Sequence, residues 1–261
     1  MRLKGKNMDL FNQQTKGSQK IKAAPLAERM RPDSLQDFVG QEKIVGPGKP
    51  LRIMIEKDEL QSIILWGPPG SGKTTLAMII AKMTQSYFIQ FSAVTSGIPD
   101  LKKIIREIHH RWDYSQQKTI LFVDEIHRFN KNQQNAFLPH VEDGSIILIG
   151  ATTENPSFEV IAPLLSRSNV YILENLSHSH LRQIIQRTLR DKKNGLGELK
   201  INLEVSEIDL IIELSYGDAR IALNILELAA KAGERNKNGM INITKKLILE
   251  IVQKTHLRYD K

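Results

Sequence analysis

The segment that most constrains the fold is IILWGPPGSGKTTL, residues 63–76. Four apolar residues in succession suit a strand buried on both faces. The next six positions hold three glycines and two prolines, which neither a helix nor a strand interior tolerates. Lys73, Thr74 and Thr75 follow, and apolar spacing then resumes at helical intervals. A buried strand must therefore turn sharply and restart as a helix, an expensive arrangement unless the turn holds something.

Gly67, Pro68, Pro69, Gly70, Ser71, Gly72, Lys73 and Thr74 satisfy G-x-x-x-x-G-K-[ST] in full. Glycines at these points admit backbone angles closed to other residues and let the main chain approach a ligand closely. Successive N–H groups then converge on phosphate oxygens at a helix start, where the dipole adds positive potential. The expected ligand is ATP with Mg2+. Residues 67–75 form its cradle, with Lys73 on the terminal phosphates and the Thr74 hydroxyl in the metal shell.

Four later segments extend this reading. ILFVDEIHR (120–128) is an apolar strand ending in two acids. Asp124, at the strand's carboxyl end, is expected to hold Mg2+ with Thr74, and Glu125 to orient and deprotonate a water. IILIGATTENP (146–156) is a buried strand ending in two threonines, of which Thr153 is favoured over Thr152 as the γ-phosphate sensor. In LLSRSNVY (164–171), Arg167 is expected to neutralise charge on a transferred phosphoryl group. In YGDARIALNILELA (216–229), Arg220 stands in the first turn of an amphipathic helix and is expected to touch the γ-phosphate.

Apolar runs at 62–66, 87–91, 119–123, 145–150 and 169–173 alternate with helical patterns at 72–83, 98–110 and 132–142. That alternation predicts an α/β fold with a parallel sheet covered on both faces. Beyond Leu173 only helical patterns recur, at 177–190, 206–215, 218–232 and 244–254, separated by DKKNGLGE and GERNKNG turns. The expected domains are a basic, disordered leader (1–24), an α/β nucleotide-binding core (25–174) and an all-helical lid (175–261).

Taken in order, the five motifs resemble the AAA+ ATPase family. The stretches ERMRPDSLQDFVGQEKIVGPGKPL, DEIHRFNKNQQNAFLPHVEDG, LIGATTENPSFEV and GDARIALNILE resemble, within it, the RarA/MgsA group, akin to the eukaryotic Werner-helicase-interacting protein. The resemblance spans about Leu26 to Leu228. It implies a five-stranded P-loop core with nucleotide between core and lid. It implies that Arg167 acts in trans, and that Arg29–Pro32 and Asp37–Gln41, including Val39 and Gly40, line the adenine side. It further implies ATP-driven maintenance of stalled replication forks, in the bacterial cytoplasm at the nucleoid. The implied partners are DNA at single-strand/duplex junctions and ends, single-strand-binding protein, and further copies of the chain. The alternative is a clamp-loader-like scaffold gated by ATP. Family members carry a further C-terminal helical domain that holds a tetramer together, so this chain is expected to be a fragment with weak ATPase activity. Met8 is a candidate for the native start.

Composition removes other classes. With no cysteine, disulfides, thiolate metal sites and cysteine nucleophiles are excluded. His109, His110, His178 and His180 lack a further ligand at metal spacing and read as surface residues. No apolar run is long enough to cross a bilayer. The net charge of +8 is concentrated in residues 1–22, where six Lys/Arg face one acid. That leader is either a solvated tail or an arm drawn to nucleic-acid phosphates. Within it, NMDLF resembles a sliding-clamp-binding peptide through Leu10 and Phe11. Trp66 and Trp112 read as packing residues, so no aromatic platform for single strands is expected.

Overall fold

The computed structural model describes residues 24–93 and 98–259. The leader with Leu10 and Phe11, and residues 94–97, lie outside the described residues. Five strands form one sheet: β1 (Ile63–Trp66), β2 (Tyr87–Ser92), β3 (Thr119–Asp124), β4 (Ile146–Thr152) and β5 (Asn169–Ile172). Their spatial order is β2-β3-β4-β1-β5 and every pairing is parallel. All five carboxyl ends therefore point the same way, which is the side where ligands bind in such sheets.

The side-chain alternation of each strand divides the core in two. Ile63, Leu65, Ile120, Phe122, Ile147 and Ile149 pack with Leu76, Ile79 and Ile80 of the Lys73–Met83 helix. Ile64, Leu121, Val123, Ile146 and Leu148 pack the opposite way, against Leu101, Ile108, Phe129 and Phe137. Continuous apolar runs are thus explained by burial of both faces. Gly150 is needed in β4 because a Cβ there would press on Ile64 and Ile126.

The expected helix over 132–142 is two short ones, Lys131–Asn135 and Leu138–Glu142. Asn130 and Gln133 form a capping box on the first, and Pro139 suits only the first turn of the second. The helix from Ile98 runs on to Ser115, beyond the expected end at His110. After β5 the chain is helical, with His178–Arg190, Val205–Ser215, Ala219–Ala232 and Lys245–Tyr259. These helices are joined by three two-residue strands that the sequence reading did not anticipate: β6 (Ile201–Asn202), β7 (Glu234–Arg235) and β8 (Ile241–Asn242). They form a small sheet in the order β6-β8-β7, with β7 and β8 antiparallel. Pairs this short carry no periodicity to read.

The chain divides into two compact units. One comprises Pro32–Ile184 with Ile212–Ala222, and contains the large sheet. The other comprises the described residues up to Arg31, Ile185–Ile211 and the chain from Leu223. Within the second unit, Glu227 accepts the Leu26 amide at 3.0 Å, and Arg29 donates to the Ala24 and Asn194 carbonyls. Among the described residues, no helix is long and apolar enough to cross a membrane.

Candidate functional site

The site lies within the sheet-containing unit. β1 ends at Trp66, and the chain turns over Gly67–Gly72 into the Lys73–Met83 helix. Gly70 and Gly72 hold φ of +71° and +98°, in the left-handed region. A Cβ at Gly70 would strike the Asp218 carboxylate, and one at Gly72 the Phe38 ring. Gly72 caps the helix without a side-chain bond. Among the described residues the amides of Lys73, Thr74 and Thr75 have no backbone acceptor, as the start of any helix leaves them. The Ser71 hydroxyl is buried with no hydrogen-bond partner.

Lys73 completes this deficit of negative charge. It is 8% exposed, and its ammonium donates to the Gly67 and Pro68 carbonyls at 2.7 and 2.9 Å. Among the described residues it has no ion pair. Burial pushes its pKa below the usual lysine range, opposed by Glu125, Asp124 and Asp218 and reinforced by Arg220. Buried cation, free amides and an orphaned hydroxyl converge on one loop, and a polyphosphate fits all three.

The loop is held from two sides. The Gly67 amide donates to Thr152 at the end of β4, and Leu173 to Trp66 beside it. Gln41 is buried, and its side-chain amide donates to the carbonyls of Ser71 and Glu174 at 3.2 and 2.9 Å. Its oxygen accepts the Glu174 amide at 3.2 Å. Of the residues expected on the adenine side, Val39 is half-buried and Gly40 adopts φ +92° against Leu176 and His180. The structural role of Gln41 was not foreseen, because a glutamine in a loop carries no signal of its 3D partners.

Asp124 ends β3, and its carboxylate has no hydrogen bond or ion pair among the described residues. Glu125 follows at φ +55°, ψ +48°, an uncommon conformation for a glutamate, and opens a 3-10 turn at Ile126–Arg128. Its Oε2 lies 3.3 Å from His127 Nδ1. That nitrogen also lies 2.9 Å from the Thr152 hydroxyl. Thr152 is buried and engaged again by Glu154, whereas Thr153 is half-buried with no hydrogen bond from its hydroxyl among the described residues. Thr153 is thus the threonine whose hydroxyl is at liberty.

Arg220 stands in the first turn of the Ala219–Ala232 helix, mostly exposed, 3.9 Å from Asp218. Asp218 caps that helix by accepting the amides of Arg220 and Ile221. It was not foreseen as a site residue, although an Asp immediately before an amphipathic run is a readable N-cap signal. Arg167 is placed elsewhere. It precedes β5, at the opposite end of the sheet from the cradle, about 13 Å of strand away. There it pairs with Glu142 at 2.7 Å and donates to the Pro163 carbonyl. Its own chain's cradle is out of its reach.

One expectation about histidines is corrected. His109 is half-buried, and its ring meets His140 edge-on at 4.3 Å, with Asp143 alongside. Residues remote in sequence meet because the 98–115 and 138–142 helices share the same apolar cluster. Burial, then His109, pushes the His140 pKa down. His140 Nδ1 lies 4.0 Å from Asp143 Oδ2, against the about 3.3 Å edge of a tetrahedral zinc shell. Asp143 is already the acceptor for the Ser145 amide at 2.8 Å. The cluster reads as a packed cap on the start of β4.

Comparison with known proteins places this geometry. A family model for the Holliday junction DNA helicase RuvB P-loop domain matches residues 30–166, and one for an AAA C-terminal domain matches residues 197–261. Replication-associated recombination protein A of Haemophilus influenzae is 48% identical over 91% of this chain and 53% of its own length. The Escherichia coli K12 protein of that name is 47% identical over 90% and 53%. ATPase WRNIP1 of Dictyostelium discoideum is 40% identical over 98% of this chain and 31% of its own. The chain thus spans about half the length, or less, of these relatives. Among solved structures, the Thermotoga maritima RuvB Holliday junction branch migration motor matches with a TM-score of 0.65 and 29% identity. That match covers 86% of this chain and 72% of the motor.

Proposed function

We propose, from a chain that belongs to the RuvB-type P-loop family of AAA+ proteins and is similar within it to replication-associated recombination protein A, that it hydrolyses ATP in the service of DNA replication and recombination. The observation that carries this reading is the pairing of an anion cradle with an acid poised beside it: Lys73 and the free amides on one side, Asp124 and Glu125 on the other. A binding-only switch needs the first and a metal ligand, but not a base.

In this reading the first-turn amides and Lys73 bind the phosphate tail, Lys73 leaving the carbonyls of Gly67 and Pro68. Thr74 and Asp124 would hold Mg2+, which when bound neutralises charge on the β- and γ-phosphates. Glu125 takes the proton of the attacking water, and Thr153 orients that water or the γ-phosphate. Arg220, in the same unit as the cradle, offers a second cation to the γ-phosphate. Arg167, at the far end of the sheet, serves a neighbouring copy's nucleotide, so turnover requires assembly. The DNA substrate we propose is the single-strand/duplex junction or end at a stalled fork, with single-strand-binding protein as partner and the sliding clamp as a candidate through Leu10 and Phe11.

The test is steady-state hydrolysis with and without forked or blunt DNA, alongside E125Q. E125Q should bind ATP with unchanged affinity and turn over at least about a hundredfold slower. Turnover in E125Q at the parent rate would remove Glu125 as the base, and a parent protein that turns over no ATP would remove the hydrolytic reading. Stimulation that required a sliding clamp, with no response to DNA ends alone, would replace fork remodelling with a clamp-loader-like role.

A further inference from the structure

The contacts of His127 connect two parts of the site that sequence treats as separate: a hydrogen bond to Thr152 and a 3.3 Å approach to Glu125. Thr152 Oγ1 faces three groups: the Glu154 amide at 3.0 Å, the Glu154 carbonyl at 3.2 Å and His127 Nδ1 at 2.9 Å. A hydroxyl has one proton and two lone pairs. The carbonyl takes the proton and the amide one lone pair, which leaves a lone pair towards His127. In that arrangement Nδ1 is the donor. The same assignment suits Glu125, whose Oε2 lies 3.3 Å from Nδ1; an unprotonated Nδ1 would set a lone pair against a carboxylate. Together the two contacts favour the Nδ1–H tautomer. They also supply what the backbone at Glu125 lacks. A left-handed glutamate at φ +55° is strained, and such strain persists only where surrounding contacts over-determine it.

We propose that His127 is a positioning residue: its Nδ1–H is hydrogen-bonded to Thr152 and faces the Glu125 carboxylate, and so holds the water-activating group beside the carboxyl end of β4. This rests on the hydrolytic reading of Glu125. Because Thr153 directly follows Thr152, the sensor and the base are then registered to one another through a single imidazole. His127 touches neither substrate nor metal in this role, and the Gly67 amide on the Thr152 carbonyl adds the cradle's entrance to the same anchor.

The experiment uses four substitutions and two readouts. Asparagine carries an amide N–H where imidazole carries Nδ1, whereas glutamine carries one near Nε2. H127F and H127Q should lower kcat by about 10- to 100-fold with KM for ATP changed less than about threefold. H127N should recover most of the turnover lost in H127F. T152V should lose turnover too, and H127F/T152V should be no slower than H127F. Loss of turnover in H127N equal to that in H127F, or a rise in KM in place of a fall in kcat, would overturn the proposal. The second readout needs no hydrolysis. Long-range proton–nitrogen NMR of the 15N-histidine-labelled chain should show His127 as the Nδ1–H tautomer, with T152V shifting that signal. An Nε2–H tautomer would overturn the tether even if the chain hydrolysed nothing. Inactive parent protein with the Nδ1–H tautomer present would instead count against the hydrolytic reading alone.

Discussion

Gln41→Met tests how the cradle is held. Methionine has nearly the same volume and shape, so the substitution removes three hydrogen bonds with little change in packing. Two of those bonds serve Glu174 and one the Ser71 carbonyl. Each is worth about 1 kcal/mol net, and leaving a buried partner unpaired costs about 1–3 kcal/mol. Gln41 is 3% exposed, so water replaces these bonds poorly. The expected loss is about 2–3 kcal/mol of stability, or roughly 4–12 °C in Tm for a unit of this size. One bond in three acts on the loop itself, so about 1 kcal/mol should appear as nucleotide affinity, weakening Kd roughly fivefold. Thermal and urea melts measure the first quantity, and calorimetric titration with Mg-ADP the second. A Q41M protein within about 0.5 kcal/mol of its parent, and with unchanged Kd, would refute the view that Gln41 braces the loop.

G72A should cost about 1–2 kcal/mol from its left-handed φ alone, and more from the Phe38 ring; a melt within experimental error of the parent would contradict the observed turn. R167A and E125Q copies, each nearly inactive alone, should recover hydrolysis when mixed in an assembling form of the protein, because each supplies what the other's site lacks. Recovery should fail if Arg167 acts in its own chain. E142A removes only an exposed ion pair with Arg167 and should change stability by less than about 1 kcal/mol, read from a urea melt. Asp191 is held below the usual carboxylate range by the Asn194 amide, against its desolvation, with further help from the Lys193 and Gly195 amides. Its contribution is present above the unfolded pKa of about 4 and lost as pH falls through the lower folded value. D191N should therefore lower Tm at pH 7 and make progressively less difference as pH falls below the unfolded pKa of about 4.

What the sequence determined by itself was whatever is local and periodic. Four apolar residues, a glycine-rich turn and a lysine specify strand, cradle and helix without further help, because backbone torsions and helix-end amides are short-range physics. The five strands were legible for the same reason, since burial on both faces leaves unbroken apolar runs. The two-residue strands β6 to β8 were not, since each is shorter than one period of the pattern that would reveal it. The Asn130 capping box and Pro139 did lie in the sequence, yet the break between the 131–135 and 138–142 helices was obscured by apolar residues on either side.

Tertiary structure alone decided which distant groups meet. It set Gln41 between Ser71 and Glu174, His127 between Glu125 and Thr152, and Asp218 against Gly70. It put Arg167 at the sheet's far end, where a parallel strand order dictates that a residue before β5 cannot reach the loop after β1. Hydrogen bonds and clashes between residues 25 to 148 positions apart follow from strand order and side-chain direction, which only the packed sheet fixes.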